Sequence, residues 1–312
     1  MLNFFKLIRY QNLLLLALMQ LIFRYGFLKY QDIWLSLADW QYALLVFTTV
    51  LLAAGGYVIN DIFDQETDNE NKPKNAIIGK SISEGNAYYI YTGLTLTGVS
   101  IGMYLSNVIQ KPGFVVLFIL IAALLYFYAS TLKRMLLLGN ILVALLLSFS
   151  VLLIAFFDLY PATYEGNAKK MSLVFFILKD YAIFAFIINF IREIVKDLED
   201  VNGDYNQGMK TLPIVLGISR TSKVTFGLLV TSILLLGYYL YKNIIDNSLY
   251  FASIYALIFI IAPLIYCAIQ MWNAKTKKDF HQVSTILKWI IFFGIVSIIV
   301  ITQNIIYNVT TI

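Results

Sequence analysis

Nine runs of mostly apolar residues follow one another along this chain, at 11–30, 40–60, 86–106, 113–131, 136–157, 172–192, 223–242, 249–272 and 287–307. Each is close to the roughly 20 residues that a helix needs to cross a bilayer. Hydrocarbon offers no hydrogen-bond partner to a backbone amide, so each run must satisfy itself by coiling into a helix. The expected fold is all-α, a polytopic membrane bundle of nine transmembrane helices forming a single domain over 1–312. Composition points the same way: 60% of the residues are hydrophobic and 13% charged, against about 45–50% and about 25% in soluble domains. The first run contains Arg24, and Lys6 and Arg9 stand ahead of it like the opening of a signal peptide. No small-residue cleavage site follows and many spans do, so this segment reads as a retained first helix.

Positive charge sets the orientation. With the N-terminus in the cytoplasm, about 16 of the 23 Lys and Arg residues fall in cytoplasmic segments, as the positive-inside rule requires. Lys169 and Lys170 are the main exception. The two longest polar segments, 61–85 and 193–222, both lie on that cytoplasmic side, each directly after a span. Lacking an organelle-type leader, the chain is expected in a prokaryotic inner membrane. The sequence gives no oligomeric state.

Several functions are excluded early. The single cysteine, Cys267, permits no intramolecular disulfide, and the single histidine, His281, makes a zinc site untenable. His281 reads as a loop residue. The net charge of +5 follows from cytoplasmic Lys and Arg and does not indicate nucleic acid.

The chemistry lies in two acidic clusters. The first is Asn60, Asp61, Asp64 and Asp68; the second is Asp197, Asp200 and Asp204. The aspartates repeat at the same offsets, three and then four residues apart. On a helix such steps return side chains to one face, here within an arc of roughly 60°. Stacked like charges repel, the more so near a low-dielectric interior, and call for a compensating cation. Carboxylate and amide oxygens without His or Cys suit a hard ion, Mg or Mn. Lys72 and Lys74 follow the first cluster, Lys133 and Arg134 close the fourth span, and Arg192, Lys196 and Lys210 flank the second cluster. Carboxylates for metal beside Lys and Arg for phosphate describe a diphosphate site.

These segments resemble the UbiA superfamily of intramembrane prenyltransferases. "NDIFDQETD" is similar to its NDxxDxxxD signature. "KDLEDVNGDYNQGMKTLPIVLG" resembles its second motif through Asp197, Asp200, Gly203, Asp204, Gly208, Thr211, Leu212, Pro213, Leu216 and Gly217. "YASTLKR" followed by "LGNILVA" resembles its fourth-to-fifth span junction, with Tyr128, Lys133, Arg134, Gly139 and Asn140. The resemblance implies nine helices around a central cavity and Mg-dependent transfer of a polyprenyl chain, geranylgeranyl in type, from prenyl diphosphate to a lipophilic acceptor in the membrane lipid. Asn60, Asp61, Asp64, Asp68, Asp197, Asp200 and Asp204 would hold metal and diphosphate. Asp64, Asp68, Asp200, Asp204 and Lys133 would be the catalytic set, with Asn60, Lys72, Tyr128, Arg134 and Arg192 binding substrate. One departure stands out: the family's Arg-Pro pair after the first motif is replaced by Lys72-Pro73-Lys74, which offers a point charge in place of a bidentate fork.

The mechanism so implied is ionisation of the allylic C–O bond, with Tyr126 and Tyr128 as candidates to face the resulting cation. Glu66, Glu193 and Glu199 are conceivable bases but read as exposed loop residues. The second motif favours a glycerol-phosphate or quinone-type acceptor. A terpene cyclase of the same fold would use the same metal site without an acceptor. A transporter would place its charges nearer the bilayer midplane.

Overall fold

The computed structural model describes residues 2–65 and 77–311. Asp68, Lys72, Lys74 and Glu66 therefore lie outside the described residues. Among those described, the architecture is wholly helical, with one isolated bridge between Ile78 and Ile82. The helices are α1 (Leu2–Leu7), α2 (Tyr10–Gly26), α3 (Asp39–Phe63), α4 (Glu84–Val108), α5 (Val115–Ser130), α6 (Leu138–Ile154), α7 (Ala168–Asn206), α8 (Leu212–Leu216), α9 (Ile218–Leu240), α10 (Tyr250–Ala256), α11 (Ala262–Asn273) and α12 (Lys277–Thr311). Helices α10 and α11 are joined through a π-turn, Leu257–Ile261, into one span from Tyr250 to Asn273. Pro263 sits just inside α11. A proline there has no N–H to give and displaces the ladder, which a π-turn absorbs.

Each of the nine expected spans falls on helix. Eight are long and apolar enough to cross a membrane by composition alone. The ninth, α4, is diluted by Tyr, Thr, Gly and Ser, yet it has 25 residues, about 37 Å at 1.5 Å per residue. Its necessity follows from the site described below.

The chain divides into two compact units. The first comprises 1–21, 33–142 and 149–180. Within it α3 packs against α4 and α5. Small residues permit this: a Cβ at Gly56 would lie 2.8 Å from Leu125, and one at Gly55 would lie 2.8 Å from the Thr95 hydroxyl. Close backbone approach of this kind replaces the hydrophobic drive that lipid removes. At one end of the unit Asp158, fully buried, accepts from the Leu37 N–H at 3.1 Å. Its own carbonyl takes the Ser36 N–H at 3.1 Å, so a buried polar group is satisfied by the turn it holds.

The second unit comprises 22–32, 143–148 and 181–312. Its core joins α7, α9, α11 and α12 through Ile191, Val195, Leu198, Leu229, Leu264, Met271, Phe280, Val283 and Leu287, all buried. Arg24, inside the first span, is also buried here and lies 5.9 Å from the Tyr25 ring.

The second acidic segment corrects one expectation. It is not a loop at first: α7 runs unbroken for 39 residues, about 58 Å, where about 30 Å spans the hydrocarbon. Gly208, at φ +66°, then ends the segment, and Gly217, at φ +85°, separates α8 from α9. Both conformations suit glycine for want of a Cβ. Thr211 stands before α8, and Pro213 occupies its first turn, where a missing N–H costs nothing. The Gly, Thr-Leu-Pro and Leu-Gly of the second motif are thus the residues of a tight return into the membrane.

Candidate active site

In the first unit the acidic residues gather at the end of α3. Asn60 and Asp61 are in its last turn, and Asp64 is its C-terminal cap, its N–H bonded to the Asn60 carbonyl at 3.0 Å. Asn60 Nδ2 donates to Asp64 Oδ2 at 2.8 Å. Lys133 Nζ donates to Asp64 Oδ1 at 2.5 Å and lies 3.4 Å from Asn60 Oδ1. The Lys133 side chain is only 7% exposed, so the pair is screened little by solvent.

Lys133 belongs to a 3₁₀ turn, Leu132–Arg134, between α5 and α6. Behind it is Gly139, at which a Cβ would lie 2.9 Å from the Lys133 Cα and 3.4 Å from the Tyr128 ring. Glycine there lets α6 close on the turn, and so fixes where the lysine projects. Leu137 takes a left-handed φ of +60° at the same junction, a strained choice for a non-glycine residue. Arg134 is exposed on the same turn.

Arg9 completes this half and was not anticipated there. Its Nη2 donates to Asp61 Oδ1 at 3.0 Å, and its guanidinium lies 4.8 Å from the Tyr57 ring. Tyr57 is positioned in turn by Asn12, which donates to its hydroxyl at 3.2 Å. Burial works against the Arg9 charge, but Asp61, then Tyr57 and Tyr128, outweigh it and raise its pKa above the ordinary value. Arg9 itself has φ +50°, breaking the chain between α1 and α2 and turning its side chain to α3. The sequence showed only an arginine at the foot of the first span; nothing in it says which helix that foot meets.

The two tyrosines weighed for the carbocation separate. Tyr128 is half-buried on the Arg9 and Lys133 side. Tyr126 packs instead on Phe63 at 5.7 Å and Tyr91 at 6.5 Å, as residues two apart on a helix must face apart.

In the second unit Asp197, Asp200 and Asp204 all ride on α7. Lys277, at the start of α12, donates to Asp200 Oδ1 at 3.1 Å. His281, one turn on, contacts Glu199 Oε1 at 3.0 Å. His281 is therefore a helical residue of α12 and not a loop residue, and Glu199 is engaged by it. Glu193 is buried and not an exposed loop residue: Lys196 Nζ lies 2.9 and 2.7 Å from its two oxygens. Arg192 donates from Nε to the Ser284 carbonyl at 3.3 Å, and its Nη1 lies 3.7 Å from Glu193. Spacing revealed the aspartates of this half; Lys277 and His281 are also one turn apart, but they declare themselves only once α12 is known to pack on α7.

The donor set fits a hard divalent cation, being carboxylate and amide oxygens at every position. Among the described residues no three acidic, His or Cys side chains converge as a ready cage. Mg does not need one, since it keeps waters and takes one or two carboxylates plus substrate phosphates.

A helical membrane bundle in which clustered aspartates are held by Lys and Arg defines a class of enzymes that handle anionic groups at the bilayer surface. The UbiA prenyltransferase family profile matches residues 15–301, and the chain belongs to that family. It is thereby a prenyltransferase. The digeranylgeranylglyceryl phosphate synthase of Thermococcus kodakarensis is 28% identical, covering 85% of this chain and 87% of that one. A solved structure of a digeranylgeranylglyceryl phosphate synthase superposes with a TM-score of 0.64 at 23% identity, over 96% of this chain and 97% of the other. A UbiA homolog from Archaeoglobus fulgidus, bound to GPP and Mg2+, gives 0.58 at 16% identity over 95% and 99%.

Proposed function

We propose that this protein transfers a geranylgeranyl group from its diphosphate to a hydroxyl of a glycerol-phosphate lipid, with Mg as cofactor and both acidic segments at the cytoplasmic face of a prokaryotic inner membrane. The chain 1–312 acts as one catalytic domain. The observation that carries the reaction class is the cluster Asn60–Asp64–Lys133 with Arg9–Asp61 beside it: metal-type oxygens and phosphate-type cations in one half-buried place. The acceptor follows from the relatives, whose product is a glyceryl phosphate bearing two geranylgeranyl chains.

Asn60, Asp61, Asp64, Asp197, Asp200 and Asp204, with Asp68, would hold Mg. When bound, it supplies positive charge to the diphosphate. Lys133 and Arg9 exchange carboxylate partners for diphosphate oxygens and neutralise charge on the leaving group, the term that dominates such catalysis. The allylic C–O bond breaks, and the diphosphate leaves with the electron pair. Tyr128 presents a π-face to the allylic cation, worth about 0.5–2 kcal/mol. The acceptor hydroxyl oxygen then bonds to that carbon and loses its proton. Apolar walls exclude the water that would otherwise capture the cation.

The test is transfer from labelled geranylgeranyl diphosphate by purified protein, with Mg or with chelator, offered glycerol-phosphate, quinone-precursor and no acceptor. Product is expected only with Mg and the glycerol-phosphate acceptor. Diphosphate release that ignores the acceptor would replace this reading with a cyclase, and no release at all would overturn it.

A further inference from the structure

The segment that leads into the first span is pinned to α3 at three points. Leu7, fully buried, packs with Val58, Ile59 and Ile62. Arg9 Nη2 donates to Asp61 Oδ1 at 3.0 Å, and its guanidinium carbon lies 4.8 Å from the centre of the Tyr57 ring. Asn12 Nδ2 donates to the Tyr57 hydroxyl at 3.2 Å. Tyr57 stands one turn before Asp61 and two before Asp64, so the three share one face of the helix, within about 60°. An aromatic ring thus forms the level of the acidic face nearest the membrane interior, and the Arg9 cation lies against it.

A long arginine side chain gives up much rotamer freedom to be held in one place. Asp61 is too weak a partner to hold it alone. The Arg9 side chain remains 43% exposed, and ion pairs so open to solvent contribute little. On the reading above Asp61 also serves as a metal ligand, and a carboxylate whose charge is shared with a metal holds an arginine less firmly. The Tyr57 ring carries no such second duty. Its face attracts a guanidinium, and a guanidinium lying on a ring keeps its planar N–H edge for oxygen. Asn12 restrains that ring through its hydroxyl, from the same stretch of chain that carries Arg9. Resting on the donor reading above, we propose that Tyr57 is a positioning residue of the donor site, its ring holding the Arg9 guanidinium at the acidic face of α3 while Arg9 passes from Asp61 to the diphosphate. Tyr57 acts through Arg9 and not by touching the diphosphate.

The test is a double-mutant cycle. Tyr57→Leu removes the ring and Tyr57→Phe keeps it, each made in the wild type and in Arg9→Ala. Binding of geranylgeranyl thiodiphosphate, a slow-reacting analogue of the donor, is measured by calorimetry with Mg, beside donor KM, kcat and thermal unfolding in detergent. Tyr57→Leu should raise the Kd and the donor KM about three- to tenfold, the worth of one cation–π contact, and leave kcat within about twofold. Tyr57→Phe should bind within about twofold of wild type, since the ring is kept. In Arg9→Ala the cation is already gone, so Tyr57→Leu should shift the Kd by less than about twofold. Equal losses in both backgrounds would overturn the proposal, because the ring would then serve the donor directly or the helix alone. A loss in Tyr57→Phe matching that in Tyr57→Leu would overturn it too, as the hydroxyl and not the ring would matter, and so would an unchanged Kd. If Tyr57→Leu does not fold, Tyr57→Met takes its place with the same outcomes. A wild type that neither binds the analogue nor releases diphosphate would end the donor reading and this proposal together. Donor binding without coupling between positions 9 and 57 would end this proposal alone.

Discussion

Lys133 is the residue on which the first half-site turns. It is nearly buried and held by Asp64 and Asn60, so its ammonium is already desolvated where a phosphate oxygen would replace a carboxylate. A preformed donor of this kind needs no reorganisation when the C–O bond breaks, and losing one typically costs 10²–10³ in rate. Lys133→Met should therefore lower the turnover of prenyl transfer about 100-fold, measured with labelled donor at saturating acceptor. Arg9 works differently. It is tied to Asp61 and to the Tyr57 ring, and a guanidinium stays charged at any working pH. Arg9→Ala should raise the donor KM about tenfold, one charge-assisted bond's worth, with a smaller effect on turnover. Arg9→Lys should recover part of that loss, since it restores charge without the bidentate fork. A variant that altered only the acceptor KM would remove Arg9 from the donor site.

At the scale of elements, the glycine opposite Lys133 is the sharper test of how the fold serves the site. A methyl at Gly139 meets backbone, the Lys133 Cα at 2.9 Å, and no flexible side chain can yield there. Gly139→Ala should move the 3₁₀ turn, costing about 1–3 kcal/mol in thermal unfolding in detergent, and should lower transfer in proportion to the displaced lysine. Gly56→Ala, facing the flexible end of Leu125, should lose stability without a matching loss of turnover per folded enzyme. The contrast shows what sequence could and could not reveal. Nine spans were legible because a bilayer imposes one length and one secondary structure. The helical placement of the second aspartate set was legible because helical spacing is periodic, although that helix overshoots the membrane and, in the first set, Asp64 is a cap and Asp68 lies outside the described residues. The partners Arg9, Lys277 and His281 were not, since periodicity within one helix says nothing about which helix lies beside it. For the same reason Glu193 read as an exposed loop acid, whereas the packing of α7 buries it.

Across the whole molecule, α4 decides the topology. By hydropathy it is the weakest of the nine, and eight helices qualify without it. Yet Asp64 precedes α4 and Lys133 follows α5, and the two are bonded. Between them the chain must cross the membrane an even number of times, so if α5 crosses, α4 crosses with it. Two further crossings, by α6 and α7, return the chain to that same side at Asp197. On the proposed topology both acidic segments then face one compartment. Impermeant maleimide labelling tests this directly, because Cys267 is buried and is the one cysteine in the chain. In a Cys267→Ala background, Ser81→Cys and Tyr205→Cys, both exposed, should react only when the cytoplasmic side is open. Tyr164→Cys, exposed between α6 and α7, should react from outside. An eight-span chain would instead place positions 81 and 205 on opposite sides. That pattern would separate the two acidic segments and break the link between Asp64 and Lys133.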